Sequence, residues 1–65
     1  MKKYSKNNLQ EGIKSLQSTL NKCEKVILKL KEGTSSHTLT ARRIDALKIA
    51  IDLMNEKLQN TEYIL

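Results

Sequence analysis

Apolar residues recur along this chain at helical spacing in two runs, with a short polar stretch between them. In the first run Leu9, Ile13, Leu16, Leu20, Cys23, Ile27 and Leu30 are separated alternately by four and three residues. In the second, Thr40, Ile44, Leu47, Ile51, Met54 and Leu58 keep the same alternation. Such a heptad seam belongs to a helix packed lengthwise against another helix. Between the runs lies Gly33-Thr34-Ser35-Ser36-His37-Thr38, and no proline interrupts either run. The pattern predicts helix 1 over about 5–32, a turn at 33–37 and helix 2 over about 36–62.

Local chemistry agrees with these bounds. Gly33 suits the left-handed position past a helix end, and Lys29 and Lys31 before it favour the negative end of the helix dipole. Thr34, Ser35, Ser36 or Thr38 can supply the N-cap hydroxyl of helix 2, with Thr34 or Ser35 favoured. Gly12, inside helix 1, costs up to ~1 kcal/mol against alanine, so the first turns are expected to fray.

A short turn makes the helices antiparallel neighbours, and residues facing each other then have a nearly constant number sum. Leu30 with Thr40, Cys23 with Leu47, and Leu16 with Met54 each sum to 70; Ile27 with Ile44, Leu20 with Ile51, and Ile13 with Leu58 each sum to 71. Every seam position from Ile13 to Leu58 meets an apolar or small partner. The expected fold is all-α: a two-helix antiparallel hairpin, coiled-coil-like.

Helix 2 carries more apolar surface than one neighbour requires. Leu39, Ala46, Ala50 and Leu53 form a second stripe beside the seam, with Arg43 between the two, while Val26 and Leu28 flank the seam of helix 1. A large aliphatic side chain contributes only ~1.5–3 kcal/mol on full burial. A single two-helix seam is therefore short of comfortable stability, and the spare stripe is expected to pair two hairpins into a homodimeric four-helix bundle. Small Ala46 and Ala50 permit close approach. Arg43 either extends its aliphatic stem along the surface toward solvent or Glu24, or pairs a carboxylate on the partner.

Composition narrows the chemistry. Sixty-five residues make one domain, 1–65, too short for a large core. With Cys23 and His37 the sole residues of their types, no intrachain disulfide forms, and no metal site or cofactor is expected. These two lie about ten residues, or ~15 Å, apart along the arm, so catalysis through them is not expected. No run approaches a membrane span, and the basic start leads into Asn7-Asn8-Leu9-Gln10-Glu11 rather than an apolar signal segment. The expected location is cytoplasmic.

The net charge of +5 admits a second reading. Lys14, Lys22, Lys25 and Lys29 share the outer side of helix 1 and are candidate nucleic-acid contacts. Glu11 and Glu32 interrupt that sector, and no aromatic residue is placed to stack on bases.

In outline the chain resembles the small helical-hairpin proteins that inhibit bacterial signalling kinases by docking on helical bundles. The likeness is one of shape, without a shared motif, and implies a docking role. The sequence thus points to a small non-catalytic interaction module that binds or modulates another protein through helix 2. The alternative is a basic accessory protein for nucleic acid.

Overall fold

A computed structural model describes the backbone of residues 4–64 and the side chains of residues 4–60. Two helices, α1 (Lys6–Ile27) and α2 (Ser35–Ile64), pack against each other as a hairpin 48 Å long and 18 × 17 Å across.

α1 starts on a reciprocal cap that the sequence reading overlooked. Asn8 N donates to Ser5 Oγ at 3.1 Å, and Ser5 N donates to Asn8 Oδ1 at 3.3 Å. This is a capping box with asparagine in place of the usual glutamate or glutamine, at the turn where fraying was expected.

The end of α1 is a correction. The helix was expected to run to about residue 32 but stops at Ile27, so α1 has 22 residues against 30 in α2. Lys29 N donates to Val26 O at 2.9 Å and Leu30 N to Ile27 O at 3.2 Å, tightened bonds typical of a closing helix end. Two constraints explain the early stop. Adjacent β-branched Val26 and Ile27 are weak helix formers, and the chain must cross the 8–10 Å typical between packed helix axes. Residues 28–34 make that crossing beside the first turns of α2. Leu30 stays half-buried there while Leu28 is left 85% exposed.

Gly33 has φ +87°. It occupies the third position of a turn closed by Thr34 N donating to Lys31 O at 3.3 Å, rather than the position following the helix. Thr34 then caps α2: His37 N donates to its Oγ1 at 3.2 Å, while that hydroxyl donates to Lys31 O at 2.7 Å. Of the two favoured caps, Thr34 rather than Ser35 is the one in place.

The core follows the two seams. Leu20, Ile44 and Ile51 form its buried centre, with Ile13, Leu16, Cys23, Ile27 and Leu47 packed around them. Leu9 is buried nearer the open end, and Thr40 is buried with its hydroxyl donating to Ser36 O at 2.8 Å. A hydroxyl satisfied within its own helix can sit in an apolar seam at little cost. The sequence places Tyr4 and Tyr63 at the same, open end of the hairpin, but the Tyr63 side chain lies outside the described residues.

Candidate interaction surface

Three large apolar side chains of α2 stand in solvent along one side: Leu39 at 52%, Ile49 at 59% and Leu53 at 60% exposure. Ala46 is exposed between them, and Ala50 is half-buried toward the core. Of the expected stripe, Leu39, Ala46 and Leu53 are thus exposed, and Ala50 is only half so.

Ile49 was missed. It lies three residues after Ala46 and four before Leu53, so the spacing contained the signal. A wheel drawn outward from the core seam hides it, because Ile49 falls on the far edge of the stripe. With Ile49 included, the exposed face turns further from α1 than the sequence reading placed it, and Ala50 becomes its inner border.

Arg43 is exposed at that border, and Arg42 is exposed one position along. Among the described residues neither arginine pairs with a carboxylate, so Arg43 does not reach Glu24. Exposed guanidinium groups beside apolar side chains are common at helix–helix contacts, where their stems pack and their heads find acids on the other molecule.

The lysine set is less coherent than the spacing implied. Lys14 and Lys22 border a shallow, open depression on α1 together with Ser15, Ser18 and Thr19, but Glu11 lines it too. Lys25 is exposed further along the same helix. Lys29 lies beyond Ile27 in the connector, so the early end of α1 takes it out of the helical stripe.

Cys23 is half-buried against the core, and His37 is half-buried in the first turn of α2. Each belongs to a different part of the hairpin. Among the described residues no group of three or more His, Cys, Asp or Glu is placed to hold a metal ion, and no helix is long and apolar enough to cross a membrane.

Comparison with protein-family models, curated proteins and solved structures finds no match to this chain.

Proposed function

We propose that this chain is a small cytoplasmic, non-catalytic protein-interaction module. Two hairpins pair through the exposed face of α2 into a four-helix assembly, and the same face serves to bind or modulate another protein. The observation that carries this reading is the exposure of Leu39, Ile49 and Leu53 on one side of α2. Large aliphatic residues aligned at helical spacing and left in water are the usual mark of a helix contact surface.

The thin core supports the same reading. Among the described residues only Leu9, Leu20, Thr40, Ile44 and Ile51 are buried, and no side chain is fully enclosed. Chains of this size commonly gain their stability from a second subunit.

Sedimentation equilibrium across a wide concentration range tests the proposal. The mass should double with concentration, the melting temperature should rise with it, and Leu53→Asp should abolish both effects. A wild-type chain that stays monomeric throughout, with a melting temperature independent of concentration, would refute the self-pairing.

A further inference from the structure

The outward side of α2 carries a second heptad frame. Leu39, Arg42, Ala46, Ile49, Leu53, Glu56 and Asn60 are separated by three, four, three, four, three and four residues, and all are exposed. At 3.6 residues per turn this frame lies about 150° around α2 from the seam that faces α1.

The frame is symmetric about its own middle. Leu39 with Asn60 and Ala46 with Leu53 have numbers that sum to 99, while Arg42 with Glu56 and Ile49 with itself sum to 98. Alternation by one between successive layers is the same relation that pairs α1 with α2 inside the hairpin. Resting on the self-pairing reading above, we propose that α2 packs antiparallel on α2 of a second copy, with Ile49 at the dyad and each Arg42 against Glu56 of the other copy. The α1 helices lie to the outside of this central pair.

Each layer is complementary in this arrangement. The small Ala46 receives the large Leu53, a cation meets an anion, and Leu39 at the rim meets the amide of Asn60. A self-complementary patch of this kind is what a two-fold interface requires. The in-register parallel arrangement sets Arg42 on Arg42 and Glu56 on Glu56, and leaves a gap where Ala46 meets Ala46. Slipping the antiparallel register by one heptad in either direction puts Arg42 or Glu56 on Ile49, desolvating a charge without a partner. Charge complementarity therefore selects one register and one orientation.

Charge reversal tests it, read by sedimentation equilibrium with helicity checked by circular dichroism. In a symmetric dimer each reversal changes two contacts, so Arg42→Glu and Glu56→Arg should each weaken dimerisation about tenfold, and the double variant should return to within about threefold of wild type. All these positions are exposed, so the hairpin itself is preserved. Ile49→Asp separates the two levels of the claim. If it leaves dimerisation unchanged, α2's outer face is not the contact and the self-pairing reading falls as well. If it yields monomers while the double reversal is weaker than either single one, the register is wrong and the self-pairing stands. Dimers indifferent to both single reversals also overturn the register.

Discussion

The thioether methyl of Met54 rests over Gly12: a Cβ built on Gly12 would stand 2.6 Å from Met54 Cε. A glycine that reads as a defect in the α1 sequence is thus the floor of a contact with α2. Gly12→Ala gains ~1 kcal/mol of helix propensity but pushes Met54 off its rotamer at a cost of ~0.5–1.5 kcal/mol. The net change should be near zero. In a Met54→Ala background the same substitution should show its full gain of ~1 kcal/mol. Urea denaturation of the four proteins at one concentration measures this coupling, and a value below ~0.3 kcal/mol would mean the two residues act independently.

The connector depends on one backbone angle and one hydroxyl. At φ +87° Gly33 sits where L side chains are strained. Gly33→Ala should therefore cost ~1–2 kcal/mol, and Gly33→Asn less. Thr34→Ala removes the acceptor for His37 N and should cost ~1 kcal/mol, whereas Thr34→Ser retains it. For a domain of this size each kcal/mol lowers the melting temperature by ~4–8 °C. Equal melting temperatures for the alanine and serine variants at Thr34 would deny the capping role.

Ile49 and Ile51 separate the two faces of α2. Ile51 is 8% exposed in the core and Ile49 is 59% exposed outside it. Under dilute conditions Ile51→Ala should destabilise by ~2–5 kcal/mol, and Ile49→Ala by no more than ~0.5 kcal/mol. Raising the protein concentration should enlarge the Ile49 penalty and leave that of Ile51 nearly constant. A concentration-independent Ile49 penalty would contradict a role in pairing.

Leu28 provides a control for apolar exposure in general. Among the described residues it is the most exposed large apolar side chain, at 85%, yet it lies on the connector and not on α2. Leu28→Gln should leave the association constant unchanged within about twofold, since residues outside a contact contribute little. A loss comparable to that of Leu53→Asp would show that association is unspecific.

Retention on heparin addresses the lysine set. If net charge alone causes retention, replacing Lys14, Lys22 and Lys25 by Gln should lower the eluting salt no more than replacing Lys6, Lys31 and Lys48. A loss confined to the first set, with a salt dependence reduced by about three contacts, would instead favour nucleic-acid binding along α1.

Periodicity is local: the backbone geometry of a helix turns residue spacing directly into a face. Hence the two seams and their shared register around Leu20, Ile44 and Ile51 could be read from the order of residues, while the α2 cap was narrowed only to Thr34 or Ser35 before the structure chose Thr34. The Ser5–Asn8 box was equally local and was overlooked because its third residue is asparagine. Other features depend on what stands opposite. Where α1 ends is set by the distance to α2 together with the β-branched pair Val26 and Ile27, so the heptad continuing through Leu30 outlasts the helix itself. The meaning of Gly12 is set by Met54, 42 positions away, and the openness of the side bearing Ile49 by the absence of α1 from it. Spacing determines which residues share a face; only tertiary packing decides which faces are covered, because burial belongs to a pair of surfaces and not to one.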